Sequence, residues 1–319
     1  MKKNNLKETL GGVALIGGAI LALVWANSPA APVYEAMVHQ EWIKGIAIFL
    51  FFMSIGIELR HEIQHGSLRS AKNAIVPIFA AIGGMTVPVL IYSAFNIGKG
   101  TEAGWGIPMS TDVAFALAVF AIAGSFMPKA LRLFVLTVAV VDDSLTILMI
   151  AIFYASSFHM LSLVSLSGVL IGIFLPKGEA LLPKLQPVVA FVALPVFALF
   201  SAGVNLSTLN FADFRTSSIT VGILVAMIIG KPLGVLGTTF LVTKSGLGKL
   251  SEQIKWADLL PTGLLFGMCF TVALLMSELS FGEQVVEHST ANLSVFIGST
   301  VAALLATIGL TIRKPAHAS

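Results

Sequence analysis

The sequence predicts an all-α, polytopic membrane protein, a single transmembrane domain over residues 1–319, and three observations carry that reading. Of its residues 56% are apolar and 11% charged, with a mean hydropathy of +0.93, whereas a soluble domain averages about 25% charged residues. Apolar runs long enough to cross a bilayer follow one another along the whole chain. Two of these runs are interrupted by Gly and Pro at corresponding places in segments of opposite orientation, the pattern of a transporter core made of inverted repeats.

The first run follows MKKNNLKETL. With many spans behind it, an uncleaved first span over 9–27 is a better reading than a signal peptide. Its Gly11, Gly12, Gly17 and Gly18 suit close helix packing. Further spans are expected at 43–64, 73–96, 106–126, 130–155, 159–175, 187–204, 218–243, 259–281 and 290–312, ten in all. The sixth and seventh are short, and the Pro-rich stretch 176–187 joins them. The fourth, read from Gly104 as GWGIPMSTDVAFALAVFAIAG, places Gly106 and Pro108 ahead of Ser110, Thr111 and Asp112. The ninth, LLPTGLLFGMCFTVALLMSEL, carries Pro261, Gly263 and Gly267 at the matching place. Each interrupted span is flanked by continuous ones, which gives repeats at about 73–155 and 218–312.

Charge sets the orientation. Lys2, Lys3, Lys7, Arg60, Arg69, Lys72, Lys129, Arg132, Lys177, Lys184, Lys244, Lys249, Lys255, Arg313 and Lys314 all fall on one side of the ten spans. The other side receives only Lys44, Lys99 and Arg215, so both termini are expected in the cytoplasm. This scatter gives the net charge of +3 no nucleic-acid footprint. Cys269, the single cysteine, excludes an intramolecular disulfide or a cysteine-rich metal centre. No nucleophile–base pair, HExxH or phosphate loop is present, so neither an enzyme nor a cofactor is expected.

Four charges are left at depth: Asp112, Asp142, Asp143 and Lys231. The adjacent aspartates lie in LRLFVLTVAVVDDSLTILMIAIF, residues 131–153, where one charged side chain costs roughly 2.5–3.5 kcal/mol at the bilayer centre. An ion pair with Lys231 accounts for one acid and leaves an excess. Successive helical residues point about 100° apart, so the two aspartates can face different partners. Crowded, desolvated carboxyl groups hold protons more tightly. With the Thr111 hydroxyl and loosened backbone carbonyls they also suit a hard monovalent cation such as Na⁺ or Li⁺, so protons and cation would compete. His61 and His65, four apart on a helix end, read as a solvated pair because the sequence offers no evident third metal ligand. His159, His288 and His317 read as loop or tail residues.

The segments IGIELRHEIQHGSL (55–68), FAAIGGMTVPVLIYSAFN (79–96), GWGIPMSTDVAFALAV (104–119), VVDDSLTILMIAIFY (140–154), LPVFALFSAGV (194–204) and IIGKPLG (228–234) resemble the NhaA-type bacterial Na⁺/H⁺ antiporters, in order and over most of the chain. The resemblance implies NhaA-like inverted repeats whose two interrupted helices cross at the membrane midplane. It implies exchange of Na⁺ or Li⁺ for H⁺ across the bacterial inner membrane, for pH and sodium homeostasis. Asp143 would then be the principal cation ligand and proton carrier, and Asp142 would alternate between pairing with Lys231 and protonation. Thr111 and Asp112 would sit at the crossing, and Glu58, Arg60 and Glu62 would form a cytoplasmic pH-response cluster. The partners so implied are Na⁺, Li⁺, H⁺ and membrane lipid, with a homodimer as an option. The chain also departs from the family. Members usually have about a dozen spans against ten here, the shortage falling between Phe158 and Pro176. His61 stands where the cluster has its next basic residue, and Leu181, Leu182 and Pro183 occupy the region of an expected acidic residue. The alternative reading is a degenerate, transport-deficient homologue that serves as a membrane binding or scaffold protein.

Overall fold

A computed structural model describes residues 2–66, 69, 71–153, 160–282 and 284–317, and these contain helices and turns but no strand. In chain order the helices are α1 Lys2–Ala26, α2 Ala31–Val38, α3 Glu41–Gln64, α4 Ala71–Asn96, α5 Val113–Ala123, α6 Lys129–Phe153, α7 Met160–Phe174, α8 Gly178–Val188, α9 Leu194–Ser201, α10 Phe211–Thr216, α11 Ser218–Val225, α12 Lys231–Lys244, α13 Trp256–Leu265, α14 Thr271–Phe281 and α15 Val285–Arg313. Six continuous helical stretches among the described residues are long and apolar enough to cross a membrane. The 3₁₀ segment Glu102–Met109 and α5 make a seventh, bent by 40°. The shorter apolar helices Leu10–Ala26, Met160–Phe174 and Thr271–Phe281 supply the rest of the expected ten.

Two expectations change. The seventh span is not short: helix begins at Gly178, inside the supposed Pro-rich connection, and continues through α8 and α9 to Ser201. Pro183 and Pro187 lie inside α8 rather than ending it. His288, expected in a loop, lies in the first turns of α15, where Nε2 is 3.5 Å from Glu278 Oε2. His159 lies outside the described residues.

The spans joining α8 to α9 and α11 to α12 share a device. Each contains one π turn, Val189–Ala193 and Ala226–Gly230, placed just before Leu194-Pro195 and Lys231-Pro232. Proline cannot donate to the helical ladder, and a widened turn ahead of it passes the donors on to carbonyls five residues back. Leu194 N–H accordingly reaches Val189 O, and Lys231 N–H reaches Ala226 O.

Small residues set the closest helix contacts. α4 packs along α12, where a side chain at Gly234 would run into the backbone of Gly83 and Gly84. α3 packs along α7 with Gly56 against Val169 O and Gly172. In α1, Gly11, Gly12 and Gly18 meet Ala190, Ala118 and Pro195, while Gly17 meets nothing. Apolar side chains such as Leu148, Ile152, Ile229, Leu241 and Ile308 are left exposed on the outside. Charged side chains also tie helix ends together. Arg60 reaches α7 carbonyls and Arg313 Nε lies 2.7 Å from Asp258, while Lys44 pairs with Glu278 at the other end.

Candidate functional site

Two helices break where they cross. The 3₁₀ segment ends at Met109, Ser110 turns to extended backbone, and α5 starts at Val113. α13 and α14 are likewise parted by residues 266–270. Broken helices leave backbone donors and acceptors without ladder partners, and inside a membrane these must be satisfied within the protein. Each break supplies the other: Asp112 N–H donates to Met268 O at 2.7 Å, and the Thr111 hydroxyl donates to Phe266 O at 2.9 Å. Ser110 Oγ lies 2.7 Å from Cys269 Sγ, and the Ser299 hydroxyl donates to Cys269 O at 2.8 Å.

Asp112 serves both broken helices. As N-cap of α5 its Oδ1 accepts from Phe115 N–H at 3.2 Å, while Oδ2 accepts from the Thr271 hydroxyl at 3.0 Å and from Thr271 N–H at 3.4 Å, at the start of α14. A carboxylate is favourable at the positive end of a helix dipole, and here two such ends face it.

Lys231, at the start of α12 just after the π turn, is fully buried. Its ammonium lies 3.2 Å from Asp142 Oδ2 and donates to Thr111 Oγ1 at 3.2 Å and to Met109 O. The expected Asp142–Lys231 pair is therefore present, and the same lysine also holds the first break.

Asp143 differs from its neighbour. It is 6% exposed, and Oδ1 has no hydrogen-bond partner among the described residues. Its charged surroundings include Asp142, Asp112, Glu58 and Lys231. Thr146, three residues on and so on the same helix face, is also buried with Oγ1 unpartnered among the described residues. A buried acceptor left open is costly unless a ligand or proton fills it. With Asp142 neutralised by Lys231, what remains is a buried carboxylate oxygen and a buried hydroxyl, hard oxygen donors suited to a small cation or a proton.

Of the residues singled out in the sequence, Thr111, Asp112, Asp142 and Lys231 are joined by direct or shared contacts. Glu58, Arg60 and Glu62 lie on the last turns of α3, where Glu58 is still one of the charges around Asp143. There Glu58 accepts from Gln186 Nε2 at 3.0 Å, and Arg60 Nη1 donates to Ile173 O at 3.2 Å and Leu175 O at 3.0 Å, closing the end of α7. Sequence reasoning missed Thr146, Thr271 and the role of Cys269 at the second break. A hydroxyl or thiol in an apolar helix carries no signal until the crossing brings its partner to it.

The family model for Na⁺/H⁺ antiporter 1 matches residues 3–178 and 165–310. Among curated relatives, a protein of Arthrobacter sp. (strain FB24) named Na⁺/H⁺ antiporter NhaA is 35% identical over 388 positions, covering 97% of this chain and 84% of its own. Relatives of the same name from Renibacterium salmoninarum and Mycolicibacterium smegmatis are 36% and 35% identical over 381 and 375 positions, each covering 97% of this chain and 87% of its own. These alignments are longer than the 319-residue chain, so the relatives carry stretches without a counterpart here. The two family-model matches overlap at 165–178, in α7 and the turn after it, where the sequence reads as shortened.

Proposed function

Because the chain belongs to the family of NhaA-type Na⁺/H⁺ antiporters, we propose that it exchanges Na⁺ for H⁺ across a bacterial cytoplasmic membrane. The observation that supports this reading most directly is the unpartnered, buried carboxylate oxygen of Asp143, beside an aspartate already neutralised by lysine. In this reading Asp143 carries either ion but not both, because bound proton and bound Na⁺ use the same oxygens. Thr111, Asp112 and the carbonyls freed at the breaks hold the pocket's shape and charge, and the Thr146 hydroxyl is a further oxygen within the same face. When Asp143 binds Na⁺, Asp142 keeps Lys231; when cation leaves, protons neutralise the acids. More than one proton then moves per cation, and exchange responds to membrane potential. Li⁺ is accepted by the same oxygens, both termini face the cytoplasm, and Glu58, Arg60 and Glu62 tune the response to cytoplasmic pH. A homodimer in lipid is compatible with this scheme. A transport-deficient homologue is not favoured, since Asp142, Thr111 and Lys231 stand in one connected site with Asp112 and Asp143 next to them in the chain.

Everted vesicles carrying an acid-interior gradient and a ΔpH-sensitive dye test this. Addition of Na⁺ or Li⁺, but not K⁺, should dissipate the gradient. Because protonated Asp143 cannot bind cation, the half-saturating Na⁺ concentration should rise as pH falls. An inserted protein that gives no Na⁺-dependent dequenching at any pH would sink the proposal.

A further inference from the structure

Away from the buried aspartates, the end of α3 carries a second cluster of metal-competent side chains. His61 and His65 lie one turn apart, their rings 5.3 Å apart at centroids and tilted by 33°. In sequence they lack a third ligand. The fold supplies it: after α7 the chain turns through Lys177, whose φ of 58° is the left-handed conformation uncommon for a side-chain-bearing residue, and starts α8 with Glu179 in its first turn. Glu179 Oε1 then lies 3.5 Å from His61 Nδ1 and 3.2 Å from His65 Nδ1. That oxygen is shielded from solvent yet makes no directed hydrogen bond among the described residues. One donor atom from each of the three residues falls within 4.8 Å of the others.

We propose that His61, His65 and Glu179 form a binding site for a divalent transition-metal ion of the Zn²⁺ class, which pins the end of α3 to the start of α8. Two imidazoles at i and i+4 on one helix face, plus one carboxylate, are a donor set for borderline ions and leave a fourth position to water. Mg²⁺ and Ca²⁺ prefer all-oxygen shells and are poorly served. The ion would bridge the end of α3 to the segment just after the shortened middle. The carboxylate oxygen sits between both imidazoles, so a small contraction brings three donors onto one centre. This site is distinct from the transported cation's and does not depend on exchange activity.

The test is isothermal titration of the untagged, detergent-solubilised full chain with Zn²⁺, run in parallel with Mg²⁺. One Zn²⁺ per chain should bind and raise the melting temperature, and Mg²⁺ should do neither. Loss of an outer partner alone weakens metal sites roughly 10–100-fold, so His61→Gln, His65→Gln and Glu179→Gln should each weaken binding at least about tenfold. His39→Gln, at an exposed position outside the cluster, should change nothing. His65→Cys, which exchanges one metal ligand for another, should retain Zn²⁺ binding and thereby separate ligation from structural support. Melting without metal checks that each variant folds. Absence of stoichiometric Zn²⁺ binding to the parental chain, or binding undiminished in all three ligand variants, overturns the proposal.

Discussion

Asp143 Oδ1 is buried without a hydrogen-bond partner among the described residues, and Asp142 is buried with one, although the two share a peptide bond. The difference follows from their directions on α6, which aim Asp142 at Lys231 and leave Asp143 to the pocket. Asp143→Asn keeps the shape but removes the titratable charge, so Na⁺/H⁺ exchange in vesicles should vanish while insertion and melting stay near parental. Exchange at the parental rate would show that the carrier lies elsewhere. Lys231 also holds Met109 O and Thr111 Oγ1, and asparagine at 142 keeps an oxygen for the ammonium, so Lys231→Met should destabilise more than Asp142→Asn. Stripping one member of a buried pair costs about 3–5 kcal/mol. The double variant should melt well above the sum of the single losses, and additive offsets would dissolve the pairing. Thr146→Val leaves the volume and breaks no hydrogen bond found among the described residues, so it should raise the half-saturating Na⁺ concentration several-fold without lowering melting. The Asp142–Lys231 pair was legible in the sequence because three deep acids faced one deep base. Thr271 was not, because its link to Asp112 joins residues 159 apart and depends on a crossing of two breaks.

Among the elements, the breaks at Ser110 and around Gly267 were legible from Gly and Pro within apolar runs, whereas the π turns and the helical start at Gly178 were not. Pro183 and Pro187 read as breakers because each forfeits a ladder bond and crowds the carbonyl four residues back. Packing of α8 and its π turn against α3 overrides that local preference. His61 and His65 are exposed, as a solvated pair should be, but the third side chain beside them escaped notice for a related reason: Glu179 is placed by that same unexpected helix. α12 offers a clean test of how an element positions the site. Replacing a helical Gly by Ala gains about 1 kcal/mol in propensity. At Gly237, where an added methyl meets nothing, Gly237→Ala should keep that gain. At Gly234 the methyl meets the Gly83 backbone, and overpacking costs typically about 1–3 kcal/mol. Gly234→Ala should therefore lower the melting temperature and, by pushing α12 from α4, displace Lys231 and slow exchange. Equal melting of the two variants would remove α4–α12 contact as the support of the lysine.

For the whole molecule, the question is how a chain shorter than its relatives keeps a two-sided transport path. Loss of spans in pairs preserves the side on which every later segment emerges, and with it the opposed orientation that the sequence leads one to expect of the two repeats. The structure retains both broken helices and their mutual hydrogen bonds, so the crossing does not need the missing stretch. What the middle must do is join α6 to α8 and keep the ends of α3 and α7 together, a task met by Arg60 on the α7 carbonyls and by Gln186 on Glu58. On this account Lys177 and Lys184 lie on the same side as Lys244, Lys249, Arg313 and the amino terminus, as the positive-inside preference requires. The check uses Lys184→Cys, an exposed position in α8, in a background where the buried Cys269 is replaced by Ala. A membrane-impermeant maleimide should label this cysteine in everted vesicles and fail to label it in intact cells, while a cysteine at Lys99, in the loop after α4, should show the reverse. Labelling of Lys184→Cys only from outside the cell would place α8 on the opposite face. The spans could not then be ten with both termini cytoplasmic, and the two repeats could not be related by an inversion across the membrane plane.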